Sequence, residues 1–382
     1  MATEVLPNIM LIKQSVRLYR ISRYTMGNYF NSNTNTTRPE PIQTNTPPQE
    51  PIKPQASSFS MREPLLFSLL ANYDRILLAG CGGGYDFMSG LPLYFALKEL
   101  GKKPFLANLS FTTLNDVKRL NPDDVILNCG FRVHYKTKVA SNRYFPELFT
   151  CQWFRKKGED VEIFAFDHFP ATRDLIDCYQ WICKERGIDA IVLVDGGTDS
   201  LTYGDECGMG TPVEDHTSMA AIDMVDGIGL KLLCCIGFGV DSFHGISHGL
   251  FLQNVARAEK QGHFYGSFSV SRHTPEARQY IECYEYVAAR MQPSIVCSSI
   301  ISGINGEFGN HHSTERTKSS TLFINHLMCI LWTFDLQGVN KNIPYLDKVK
   351  QSTGALETDS IITSYRSKIG DDKIRQPLPL PM

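Results

Sequence analysis

From residue 72 onward, short apolar runs alternate with amphipathic stretches, and glycines sit where the runs end. Residues 75–79 predict a first strand that stops at Gly80-Cys81-Gly82-Gly83-Gly84. A helical pattern follows from 86 to about 100, and 104–108 predict a second strand. The unit recurs: strand 161–166, helix 172–186 ended by Gly187, then the continuous apolar run 188–194 expected of a strand covered on both faces. Further along come a helix at 212–226, a strand at 230–238, a helix at 247–261, a strand at 263–270 and a helix at 275–290. Apolar runs near 294–301 and 327–334 complete the candidate core. Strands alternating with helices predict an α/β fold: a doubly wound, mostly parallel (Rossmann-like) sheet with helices on both faces. Residues 115–160 are irregular and aromatic-rich, and read as a cover over one sheet end.

The first sixty residues follow another grammar. Residues 31–58 are Asn, Thr, Pro and Gln with little to bury, which predicts a disordered linker. Before it, Lys13, Arg17, Arg20 and Arg23 recur among apolar residues, with Glu4 the only acid ahead of Glu40. A mitochondrial transit peptide has this basic, amphipathic character. The expected organisation is a tail at 1–60, one α/β domain at 61–370 and a flexible C-terminal tail at 371–382.

Composition narrows the class. Of 382 residues, 42% are hydrophobic and 20% charged, as in a packed globular protein. A net charge of −2 gives no field that would draw in nucleic acid or an anionic membrane. The eleven cysteines form no C-x-x-C pair, and several lie in apolar runs. That usage suits reduced thiols and a cytoplasmic protein, or the mitochondrial matrix if residues 1–30 direct it there. No apolar stretch is long enough to span a bilayer.

Candidate chemistry sits where strands end. Beyond the first strand, Gly82, Gly83 and Gly84 are expected to contact a ligand through the backbone, beside a helix N-terminus. The dinucleotide fingerprint is incomplete because residue 87 is Phe, and no Lys completes a Walker A loop. Neither a nicotinamide nor a flavin cofactor is indicated. Asp86, which also reads as a helix N-cap, disfavours a directly bound phosphate and favours an amine, a hydroxyl-rich group or a metal. The loop after 188–194 is the richest: Asp195, Asp199, Asp205, Glu206, Glu214, Asp215 and His216 lie within twenty-two residues with five glycines. Asp195 and Asp199 bracket Gly196 and Gly197 at a strand exit, where a parallel sheet opens its crevice. Crowded carboxylates repel unless a cation, protons or a basic ligand offset them, and hard oxygen ligands suit Mg2+, Mn2+ or Ca2+, with Mg2+ or Mn2+ the expected cofactor. Thr211-Pro212-Val213-Glu214 has the form of a capping box, with Glu214 and Asp215 favouring the helix start. Asp241, His244 and His248 follow the strand at 230–238, with Ser247 as a helix N-cap. Arg316, in a Gly-rich loop, could grip an anionic group. Gly83, Asp86, Asp195, Asp199 and Asp241 are expected to line one crevice.

The motifs LLAGCGGGYDF, VDGGTDSL, GDECGMGTPVEDHTS and GFGVDSFHG, over about 75–335, resemble the α/β family named domain of unknown function eleven-fifty-two. That resemblance implies one domain with its motifs at one sheet edge and brings no catalytic role. Asp-Gly-Gly followed by an acid and Gly-Met-Gly is also similar to the D-glutamate cyclase family over a short stretch.

Together these readings point to an enzyme, hydrolase or lyase, acting on a small polar metabolite such as a nucleotide or sugar derivative. A divalent cation would be held by Asp195, Asp199 and Asp205. Asp86 or Asp241 would orient the ligand, and His216 or His244 would move protons. Two alternatives stand beside it: a non-catalytic small-ligand sensor, and a metal-independent lyase or cyclase in which Arg316 holds a substrate carboxylate. The partner is a small molecule, neither nucleic acid nor membrane, and a homo-oligomer is compatible with the sequence.

Overall fold

Among the described residues, nine strands form one open sheet in the order β3-β4-β5-β2-β1-β6-β7-β9-β8. The computed structural model describes residues 62–140 and 144–377. Contacts divide the chain at 50/51, and all described residues belong to the second unit. The tail expected at 1–60, with its transit-peptide reading, lies outside the described residues.

The strands are β1 (Arg75–Gly80), β2 (Lys103–Leu109), β3 (Val125–Ile126), β4 (Gly130–Val133), β5 (Ile163–Phe166), β6 (Ala190–Asp195), β7 (Leu230–Cys235), β8 (Phe264–Ser269) and β9 (Ile330–Asp335). The central five, β5-β2-β1-β6-β7, are parallel. Antiparallel pairs extend both ends: β4 and β3 beyond β5, and β9 and β8 beyond β7. The sheet is therefore mixed, with a parallel centre. The segment 115–160 is not an irregular cover, because it contributes two of these strands and the helix Pro146–Lys156. The run near 294–301 is a helix, Ile295–Ile304.

Side chains alternate between two cores, as the pleat dictates. Ile76 and Leu78 join Val192, Val194 and Leu232 on one face, while Leu77 and Ala79 join Ile191, Leu193 and Leu233 on the other. The first core is closed by helices Leu91–Glu99, Pro146–Lys156, Pro275–Ala288 and Ile295–Ile304, and the second by Thr172–Arg186, Pro212–Asp223 and His248–Lys260.

From β1 the chain moves outward to β2 and β5, then returns past β1 to lay down β6 and β7. The direction of winding thus reverses between β1 and β6. Such a switch point opens a crevice beyond the C-terminal strand ends. The helix expected over 86–100 is broken into Asp86–Ser89 and Leu91–Glu99. Pro92, second in the latter helix, has no N–H to continue the first. Residues 371–377, read from the sequence as the start of a flexible tail, are anchored: Arg375 Nη2 bonds Asp205 at 2.6 Å and Glu206 at 2.7 Å.

Candidate cation and ligand site

Three loops and one helix start meet at the switch point. The loop after β1 brings Asp86, the end of β6 brings Asp195, and the first turn of helix Pro212–Asp223 brings Asp215. One carboxylate oxygen from each lies within 4.8 Å of the other two. Asp195 and Asp215 are each only 2% exposed. Asp215 Oδ1 is buried, with no hydrogen-bond partner among the described residues. At this separation two full charges repel by about 3.5 kcal/mol at an effective dielectric of about 20.

Asp199 and Asp241, both buried, complete a cluster of five carboxylates. Hydrogen bonds from the strand-exit loops fix one oxygen of several of them. Ser200 donates its N–H (3.1 Å) and hydroxyl (2.6 Å) to Asp195 Oδ2. Thr211 donates its N–H (2.8 Å) and hydroxyl (3.0 Å) to Asp199 Oδ2. Thr198 donates its N–H to Asp241 Oδ2 at 2.8 Å. Glycine at 196 and 197 makes room for these acids. A Cβ on Gly196 would stand 2.9 Å from Asp86 Oδ1, and one on Gly197 would stand 2.6 Å from Asp241 Oδ2.

Burial raises the pKa of all five acids, with neighbouring carboxylates adding to the rise in Asp86, Asp195, Asp215 and Asp241. Asp199 is among the charges acting on each of those four. Asp86 keeps part of its residue surface open, yet its carboxyl is enclosed enough to be pushed up to about 7. Its two backbone hydrogen bonds oppose that rise. Clustered acids of this kind, desolvated and mutually repelling, are where functional sites concentrate.

Residues 125–366 match the family described as Protein of unknown function (DUF1152). The chain belongs to this family. The matched segment of the DUF1152 chain begins past the Gly80–Asp86 loop and runs beyond residue 335. No curated protein and no solved structure matches the chain. Nothing matched supports the likeness to D-glutamate cyclase.

The structure of this DUF1152 protein brings Asp86, Asp195, Asp199 and Asp241 together and redistributes the other expected residues. The N–H groups of Gly82 and Gly83 donate to Asp86 Oδ2 at 2.7 and 3.1 Å, and that of Gly84 donates to Leu109 O. These donors are committed inside the protein, so the loop backbone does not present them to a ligand. Asp86 does not act as an N-cap, because its carboxylate folds back onto its own loop. Of the expected metal set only Asp195 belongs to the Asp86–Asp195–Asp215 group: Asp199 has one oxygen held by Thr211, and Asp205 pairs with Arg375. His216 is fully buried, its Nδ1 lies 3.0 Å from the Tyr345 hydroxyl, and burial lowers its pKa to about 3. It is a neutral core group, unsuited to moving protons near pH 7. His244 is exposed near Asp199, whose charge opposes a lowering of its pKa by desolvation. Arg316 Nη1 donates to Pro293 O at 2.7 Å, and its charge reaches the phenols of Tyr85 and Tyr144. Ser247 caps its helix, accepting from Leu250 N at 3.4 Å. Thr211 makes no capping bond; it serves Asp199 instead.

The sequence reading counted Asp215 in the acidic loop but gave it no role beyond a favourable place at a helix start. A second omission is the buried pair Asn108–Glu147 behind the glycine loop. Asn108 Nδ2 donates to Gly84 O at 2.9 Å and to Glu147 Oε1 at 2.8 Å, and burial pushes the Glu147 carboxyl up to about 7.

Proposed function

We propose that this protein is a divalent-cation-dependent enzyme acting on a small polar metabolite at the switch-point crevice between β1 and β6. The observation that carries this reading is the convergence of Asp86, Asp195 and Asp215 with an unpartnered Asp215 oxygen buried among them. An uncompensated buried acid is costly, and one divalent cation offsets two of the three charges at once. Three carboxylates supply the hard oxygen ligands that Mg2+ or Mn2+ takes, leaving other coordination positions for water and substrate. A cation so held supplies Lewis acidity and lowers the pKa of a bound water. Asp199 and Asp241, adjacent and with raised pKa values, are placed to hold or accept protons as general acid and base.

The test is Mn2+ binding followed by calorimetry and electron paramagnetic resonance on the full chain. The reading expects saturable binding of one Mn2+, displaced by excess Mg2+ and abolished in Asp195→Asn. Mn2+ that fails to bind above background, or binds equally to the variant, overturns it. A screen of phosphorylated and hydroxyl-rich metabolites in saturating Mg2+ then separates turnover from sensing: a ligand that stabilises the protein and is never consumed rejects catalysis.

A further inference from the structure

Beside the carboxylates stands a set of rings that the acid chemistry does not use. Phe111, in the loop after β2, and Phe169, in the loop after β5, are each 44% exposed. His168 lies between them, its ring centre 4.1 Å from that of Phe111 and 3.7 Å from that of Phe169. Tyr144 continues the array, 6.5 Å from Phe111 and inclined to it by only 22°. The array abuts the cation site from two directions. A Cβ on Gly83 would stand 2.7 Å from Phe111 Cε1, so this ring lies against the loop whose N–H groups hold Asp86. His168 Nε2 lies 3.3 Å from Glu214 Oε1, next in sequence to Asp215. Loops ordinarily keep large apolar rings out of water, and these two leave them half open.

We infer that Phe111 and Phe169, the outer rings of a stack with His168 at its centre, form a stacking platform for a nucleobase, so that the substrate class of the site is a nucleotide. This inference rests on the cation reading above for the other half of the ligand. The base lies over the loops after β2 and β5, and the sugar–phosphate oxygens face Asp86, Asp195 and Asp215 across the cation. Every base has a π-face, so ring stacking gives affinity without demanding one base. The geometry also explains why the ligand is held through a cation: Asp86 already fills the loop N–H groups that would otherwise cradle a phosphate.

The experiment compares AMP with ribose 5-phosphate, which shares the sugar and phosphate and lacks the base. Both are titrated calorimetrically into wild type, Phe169→Ser and Phe111→Leu, each with Mn2+ and again in EDTA. The expected result is that AMP binds wild type at least tenfold more tightly than ribose 5-phosphate. Each variant should lose about tenfold in AMP affinity, the weight of one base–ring contact. Ribose 5-phosphate and Mn2+ should bind the variants as they bind wild type. Phe111→Leu keeps bulk against Gly83 while removing the ring face, so lost stacking is read apart from a disturbed loop. Equal affinity for the two probes, no AMP binding in either medium, or undiminished AMP binding in both variants overturns the platform. If wild type takes no Mn2+ but AMP still binds in EDTA and weakens in the variants, the platform stands and the cation reading falls.

Discussion

The Oδ2 atom of Asp86 accepts the backbone N–H of Gly82 at 2.7 Å, so a side chain four residues downstream occupies the anion cradle of its own loop. The glycine turn after the first strand therefore serves to aim a carboxylate into the crevice. Asp86→Ala removes one member of the Asp86–Asp195–Asp215 group and bares the N–H groups of Gly82 and Gly83. The expected outcome is loss of Mn2+ binding together with new, weak binding of inorganic phosphate, read by calorimetry. An Ala variant that still binds Mn2+ as tightly as wild type would remove Asp86 from the cation site.

Asp215→Asn separates repulsion from support. Its Oδ1 has no partner to lose, and neutralising it relieves two close carboxylate contacts. The apo protein should gain on the order of 1 kcal/mol in stability while losing the stabilisation that Mn2+ gives wild type. Thermal unfolding with and without Mn2+ reads both. A less stable apo variant would show that the carboxylate is a structural group.

Glu147 sets a pH dependence away from the cation ligands. Its folded pKa, about 7, lies above the ordinary 4.5, so the folded state binds a proton that the unfolded state has released. This contribution to stability is whole below about pH 4.5 and is lost as pH rises towards 7. Glu147→Gln keeps an acceptor for Asn108 and carries no titrating proton. It should flatten the decline in this window and stabilise the protein at pH 8, by a margin on the order of 2 kcal/mol. Urea unfolding across pH 4.5–8 checks it; parallel curves for the two proteins would rule Glu147 out as the source.

Arg375→Ala tests the assignment of Asp205 to the C-terminal anchor. Glu206 is 2% exposed, and loss of the guanidinium leaves that charge paired only by hydrogen bonds from Tyr203, Gly204 and Asn254. A loss of about 3 kcal/mol is expected, as when one partner of a buried pair is removed. Mn2+ affinity should be unchanged in Arg375→Ala and in Asp205→Ala. A drop in Mn2+ affinity in Asp205→Ala would return that residue to the ligand set.

The central strands were legible because both their faces are buried, so β1, β6 and β7 read as near-continuous apolar runs, the first two ending in Gly80 and Asp195. Their common parallel direction was enough to place Asp86, Asp195, Asp199 and Asp241 at one edge. The antiparallel flank was not legible: β3 has two residues, one of them the exposed Val125, and β4 is Gly-Phe-Arg-Val, too short for periodicity to declare. Asp215 and His216 show the finer limit. Successive helix residues differ by about 100° in direction, so one points to the loop after β1 and the other to Tyr345. That choice depends on how the helix is rotated against a loop some 130 residues earlier, which no local pattern encodes. Acids at a helix start look alike in sequence whether they face solvent or a crevice.

The two ends of the sheet have a bearing on how copies of this chain meet. At one end β8 slips register against β9 between Phe264 and Ser267, and Gly266 between them takes φ of +87°. At the other, β3 spans two residues. A straight row of unpaired backbone groups would act as a template on which a neighbouring molecule could add its own strand and begin a fibre. Here one border is interrupted by a register shift and the other is only two residues long. Growth of the sheet from molecule to molecule is thereby discouraged at both borders.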